Sequence, residues 1–210
     1  MKTIILDFIG VVADINFKKL VRDLPLKQKF SCLRIFLSLK KYPDLKYAFH
    51  CFQMGCSDLT DLEQDISEYL PKYAYVIPEV MKNFHKYIKV NHNVLYLINQ
   101  LQKKGVQVIL MSNSIPETEK TMHKHDLQSV FDGILLSHHL NMIKPQKKFY
   151  DYAIETFNLN PEETLMIDDT KKNLIAANEV GISTIRSKNS NQTCDILQDF
   201  LNFLEITHQA

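Results

Sequence analysis

Thr3-Ile4-Ile5-Leu6-Asp7-Phe8 is a short, nearly continuous apolar run interrupted by one carboxylate. A run apolar at successive positions, not alternate ones, suits a parallel strand covered on both faces. Four more such runs lie downstream: Val106–Met111, entered through Gly105, then Gly133–Leu136, Thr164–Ile167 and Ile182–Ile185. Helical stretches separate them, at Asn93–Lys104, Pro116–His125, Lys147–Phe157 and Lys172–Val180. Asn160-Pro161-Glu162-Glu163 has helix-start chemistry, and Gly181 is a helix stop. This alternation predicts an α/β fold, a doubly wound parallel sheet.

No comparable strand occurs between about Asn16 and Tyr87, a stretch rich in Phe, Leu, Lys and Tyr. It reads as helical, so the plan is a core of residues 1–13 and 90–210 with a helical insertion over 14–89. A length of 210 residues fits one domain carrying an insertion. Apolar residues at 45% and charged residues at 23% exclude a disordered chain. The net charge of +1 gives no bulk argument for nucleic acid or membrane as a partner. Four cysteines with no CxxC pair make no disulfide scaffold, and reduced thiols point to a cytoplasmic address. The apolar N-terminus carries Asp7 where a signal peptide would have none, and no run reaches the ~20 apolar residues of a membrane span. Within the insertion, residues 16–50 hold nine Lys/Arg against two Asp, which reads as solvated helix faces or as a basic lid for an anionic substrate.

In an open parallel sheet, ligands bind beyond the carboxyl ends of the strands. The polar residues expected there are Asp7, then Ser112-Asn113, then Lys144-Pro145 after the third run, then Asp168-Asp169. This set suits phosphoryl transfer. A phosphate monoester repels a carboxylate unless a cation screens the charge, and Mg²⁺ held by oxygen ligands does so. Asp7 with Asp168 and Asp169 could hold that ion. Lys144 balances the negative charge, while Ser112 and Asn113 bond the phosphoryl oxygens. Asp7 then attacks phosphorus, giving an aspartyl-phosphate that water hydrolyses.

The motifs resemble those of the haloacid dehalogenase-like hydrolase superfamily. They are Asp7-Phe8-Ile9-Gly10-Val11-Val12-Ala13-Asp14, Leu110-Met111-Ser112-Asn113, Leu136-Ser137 followed by Lys144-Pro145 and Tyr150, and Met166-Ile167-Asp168-Asp169-Thr170 with Asn173. Any one is weak; four in order, each at a predicted strand end, is specific. The resemblance covers the core and implies a Rossmann-like fold, Mg²⁺ dependence and an aspartate nucleophile. It makes the insertion a small helical cap.

One departure matters. Family phosphatases carry a second aspartate two residues after the nucleophile, and this chain has Ile9. The resemblance gives that residue two roles: its backbone carbonyl binds Mg²⁺ and its side chain protonates the leaving group. Ile9 keeps only the first, and losing a general acid costs about 10²–10⁴-fold. Sugar-phosphatase-like members also lack this aspartate, so the departure is compatible with a phosphatase for a small phosphorylated metabolite; a monomer or a homodimer is expected, and the sequence does not choose between them. Three other readings stand beside it: a hydrolytic 2-haloacid dehalogenase, a catalytically weak protein that binds a phosphorylated ligand, and carbon–phosphorus cleavage through a cap lysine. Asn141 replaces a glycine that relatives favour before the Lys-Pro pair, and Asn tolerates left-handed backbone. Asp14 is a helix cap or a substrate contact, Asn173 a packing residue, and His138 or His139 a possible proton donor.

Overall fold

The computed structural model describes residues 1–207. The chain opens with β1 (Thr3–Leu6) and β2 (Ala13–Ile15). Five helices follow: α1 (Phe17–Asp23), α2 (Leu26–Lys41), α3 (Pro43–Gln53), α4 (Leu59–Tyr69) and α5 (Val76–Asn83). A 3-10 turn at Phe84–Tyr87 leads into β3 (Ile88–Val90) and α6 (His92–Lys103). Then come β4 (Gln107–Ser112), α7 (Pro116–Lys124), α8 (Leu127–Val130), β5 (Gly133–Leu136) and α9 (Ser137–Leu140). The chain continues with α10 (Lys147–Phe157), β6 (Thr164–Asp168), α11 (Lys171–Glu179), β7 (Ser183–Arg186) and α12 (Ser190–Thr207).

The five expected runs form one parallel sheet in the order β5-β4-β1-β6-β7. Strand β1 is central, which explains why Ile4, Ile5 and Leu6 are all fully buried. Helices cover both faces. Ile4 and Leu6 join a cluster with α6, α8 and α12; Ile5 joins one with α10 and α11, including Phe149, Tyr150 and Ala153. The doubly wound α/β expectation therefore holds.

The register fixes the site. Leu6 lies level with Leu110 of β4 and Ile167 of β6. Extending each strand by one residue brings Asp7, Met111 and Asp168 to the same height on three adjacent strands. The Asp7 N–H still bonds the Ile167 carbonyl at 3.0 Å, which holds the nucleophile candidate to the sheet edge.

Helices α1 to α5 carry their own apolar cluster, built on Leu45, Phe52, Leu62, Ile66, Val76 and Ile77. Entry and exit of this segment are tied by β2 and β3, an antiparallel pair in which Ala13 opposes Val90 and Ile15 opposes Ile88. This ribbon was not anticipated. Its strands are three residues long and their partners lie about 75 residues apart, so neither period nor spacing reveals them. Asp14 is part of it. Its carboxylate accepts from the Ser190 N–H at 3.2 Å and the Ser190 hydroxyl at 2.5 Å, so it anchors the start of α12. Asn141 adopts φ +52°, the left-handed backbone expected of a glycine substitute.

Leu62 is wholly buried in the helical cluster. Leu62→Ala is expected to lower unfolding free energy by about 2–5 kcal/mol, measured by urea denaturation.

Candidate active site

The sheet edge gathers its charges around one lysine. The Lys144 ammonium donates to Asp7 Oδ1 at 2.8 Å, to the Met111 carbonyl at 2.7 Å and to Asp168 Oδ2 at 2.7 Å. Those partners sit on β4, on β6 and directly after β1, at the common height set by the register. An ammonium has three N–H donors, and all three are used. Lys144 is 3% exposed and Asp168 0%, so these contacts are dry.

Lys144 is itself held by Asn113. The Asn113 Oδ1 accepts from the Lys144 N–H at 2.8 Å, and its Nδ2 donates to the Lys144 carbonyl at 2.9 Å. The expectation for Asn113 was a phosphoryl contact. In the structure its side-chain amide is committed to the Lys144 backbone, a positioning task that sequence spacing could not reveal. Ser112 closes β4 one residue beyond Met111.

The second acidic pair divides its labour. Asp168 accepts from Lys144, from the Thr170 N–H at 2.7 Å and from Asn173 Nδ2 at 3.0 and 3.1 Å. Tyr150, buried in the core, donates to the Asn173 carbonyl at 2.9 Å and so supports this loop from below. Asp169 is half-buried, and its Oδ1 accepts only the Thr170 hydroxyl, at 2.8 Å. Arg186 Nε fixes the Asp169 backbone carbonyl at 2.9 Å, a contact from β7 that no motif announced. Gly10 completes the cradle. It has φ +91°, a backbone that L side chains rarely adopt, and a Cβ there would stand 2.8 Å from Asp169 Oδ2 and push that carboxylate aside.

One carboxylate oxygen from each of Asp7, Asp168 and Asp169 lies within 4.8 Å of the others. Three carboxylates gather around one ammonium, an excess of acid over base. All-oxygen donors with that excess suit a small hard divalent cation such as Mg²⁺. Asp169 is the carboxylate least committed to protein donors. Ile9 lies two residues past Asp7 with its side chain packed against the main core cluster, so it presents hydrocarbon and no proton donor.

Electrostatics agree with this shortage of positive charge. Burial pushes the Asp7 carboxyl up to about 7, against the pull of Lys144 and with help from Asp168. Burial alone would lower the Lys144 ammonium, but Asp7 and Asp168 outweigh it and hold it above the ordinary lysine value. Tyr150 is likewise pushed up, by burial and then by Asp168 and Asp7, and remains a donor.

His138 and His139 do not join this group. His138 Nδ1 pairs with the Ser114 hydroxyl at 2.9 Å, and its Nε2 pairs with Glu119 at 2.5 Å; His139 Nε2 meets the same Glu119 oxygen at 2.9 Å. The network ties α7 to α9 where the helical layer lands. There the Ser137 hydroxyl donates to the Gln53 carbonyl at 2.5 Å, and Gly55 packs against the His138 carbonyl.

The sequence profile of the haloacid dehalogenase-like hydrolases matches residues 33–187. The chain belongs to this family. The matched span takes in Ser112, Lys144 and Asp168, and begins after Asp7. A sesquiterpene phosphatase of Aspergillus oryzae is 32% identical over 99 residues, covering 47% of this chain and 50% of that protein. A D-ribitol-5-phosphate phosphatase of Bacteroides thetaiotaomicron is 27% identical over 206 residues, covering 90% and 93%. The chain spans half or less of the length of the first curated relatives it matches. Among solved structures, a HAD family enzyme of B. thetaiotaomicron in complex with magnesium and inorganic phosphate superimposes with a TM-score of 0.65 at 21% identity, covering 89% of this chain and 93% of that one. That likeness shows the shared fold.

The raised Asp7 carboxyl has a signed consequence. Its folded value of about 7 exceeds the ordinary 3.8, so the folded protein holds a proton that the unfolded chain has released. In EDTA, this contribution to stability is fully present below about pH 4 and is lost as pH rises through about 7. Asp7→Asn removes the titration, so its melting temperature in EDTA is expected to exceed wild type at pH 8 and to lack that slope. Thermal melts from pH 4 to 8 check this.

Proposed function

We propose that this protein is a Mg²⁺-dependent phosphatase that cleaves a small phosphorylated metabolite through an aspartyl-phosphate on Asp7. The observation that carries the reading is the convergence of Asp7, Asp168 and Asp169 with Lys144 at the carboxyl ends of adjacent strands. Relatives named as phosphatases of D-ribitol 5-phosphate and of a sesquiterpene support the reaction type.

Asp7, Asp169 and the Ile9 backbone carbonyl would hold Mg²⁺, with Asp168 behind them; when bound, the ion neutralises charge between the nucleophile and a dianionic ester. Lys144 grips Asp7 Oδ1, which leaves Oδ2 for attack. As Oδ2 bonds to phosphorus, the ester P–O bond breaks and its electron pair leaves with the alcohol oxygen. Ser112 donates to the phosphoryl oxygens at the end of β4, and Asn113 contributes by fixing Lys144. Water then cleaves the acyl phosphate and restores Asp7. The departing oxygen needs a proton, and Ile9 has none to give. Esters with acidic leaving groups are therefore the better substrates. A dehalogenase needs no such acidic set, and the pair Asp168-Asp169 favours phosphoryl chemistry.

The test is phosphate release from esters of graded leaving-group pKa, with Mg²⁺ and with EDTA. Turnover is expected to need Mg²⁺ and to fall steeply as leaving-group pKa rises. Asp7→Asn should abolish it, and full activity in that variant would sink the proposal.

A further inference from the structure

Helix α2 turns a mixed face inward, with Ile35 in the helical cluster, Cys32 and Leu39 packed against it, and two serines beside them. Its buried residues are Ser31, Ile35 and Ser38, and the Ser31 hydroxyl is satisfied by the Lys27 carbonyl at 3.0 Å and Tyr75 at 3.3 Å. Facing solvent are Leu26, Phe30, Leu33 and Leu37, spaced i, i+4, i+7 and i+11, which is one straight stripe along the helix. Leu26 is 82% exposed, Phe30 55% and Leu33 53%. A helix that only covers a core leaves its outer face polar, so this exposed apolar stripe calls for an occupant.

Lysine and arginine border the stripe on both sides. At 3.6 residues per turn, Lys27, Arg34 and Lys41 fall along one flank, and Lys29 and Lys40 along the other. Helix α1 extends the surface with exposed Phe17 and Val21 beside Lys18 and Arg22. Phe17, Val21, Lys18, Arg22 and Lys29 line one open depression of about 500 Å³. Together α1 and α2 hold eight Lys/Arg against a single acid, Asp23.

We propose that this face docks on an anionic lipid surface, with the α2 stripe sunk into the headgroup boundary and the flanking cations on the lipid phosphates. An apolar stripe bordered by long cationic side chains is the chemistry of an interfacial helix: the stems lie along the apolar layer and the heads reach the charge. A symmetric contact between two copies would set these cations against each other. A head-to-tail contact could use acidic α4, but the large apolar side chain that α4 exposes is Tyr69 alone, so the stripe would meet no apolar surface there. No described helix is long and apolar enough to cross a membrane, and the association proposed is a peripheral one through α1 and α2. The whole-chain charge of +1 gives no sign of this face because it averages these cations with acidic α4.

The test is co-sedimentation of the full chain with phosphatidylcholine vesicles, with and without phosphatidylserine, at low and high salt. Retention is expected only with phosphatidylserine and should weaken with salt. Lys27→Gln and Arg34→Gln should each weaken it roughly fivefold. The double variant Phe30→Ser/Leu33→Ser should abolish it while the chain still melts in one cooperative transition, the packing lost being the Phe30 edge contact with Tyr73 at 5.9 Å. No retention on anionic vesicles at low salt overturns the proposal. So does retention indifferent to Phe30→Ser/Leu33→Ser, or a dimer that light scattering shows these two substitutions dissolve.

Discussion

The structure turns on the Lys144 ammonium. Three strand ends place two carboxylates and a carbonyl at one height in a dry pocket, and parallel pairing alone would leave those like charges opposed. One buried cation with three donors resolves this, bonding Asp7, Met111 and Asp168 together. A buried ion pair is tolerated only when geometry is good and the remaining atoms are satisfied. Here Asn113 fixes the lysine backbone, and Thr170 and Asn173 fill the remaining sites on Asp168.

That compensation is incomplete, and the shortfall is what makes the place chemical. Asp7 keeps a raised carboxyl because burial outweighs the help from Lys144. Asp169, held by its backbone through Arg186 and crowded against Gly10, keeps its carboxylate mostly uncommitted. The fold thus gathers an excess of negative charge at its edge, which a proton on Asp7 or an added cation relieves. The Ile9 side chain, packed against the core, brings neither charge nor a proton donor to this edge.

The helical layer follows separate rules. It has its own apolar cluster and is joined to the core by a short ribbon and by contacts at Ser137, His138 and Gln53. Its outer surface is not finished as a solvent face. Ile35 points in between two serines while a row of Leu and Phe points out, and that exposed row costs free energy in water that another apolar phase would relieve.

The sequence by itself determined the sheet. Five apolar runs with helices between them have one economical solution, and carboxylates at the ends of the first and fourth runs must then lie at one edge. Asp7, Ser112 and Asp168 were legible for that reason, because strand ends are properties of local pattern, whereas Lys144 lies in the loop between α9 and α10 and was read from the order of the motifs. What the tertiary structure decided is everything that depends on partners distant in sequence: that Asn113 serves Lys144, that Asp14 caps α12, that Arg186 steadies Asp169, and that β2 pairs with β3. The facing of α2 belongs with these. Periodicity finds a stripe, but only packing against Tyr75 and Ile35's neighbours settles which side of the helix is turned to the core.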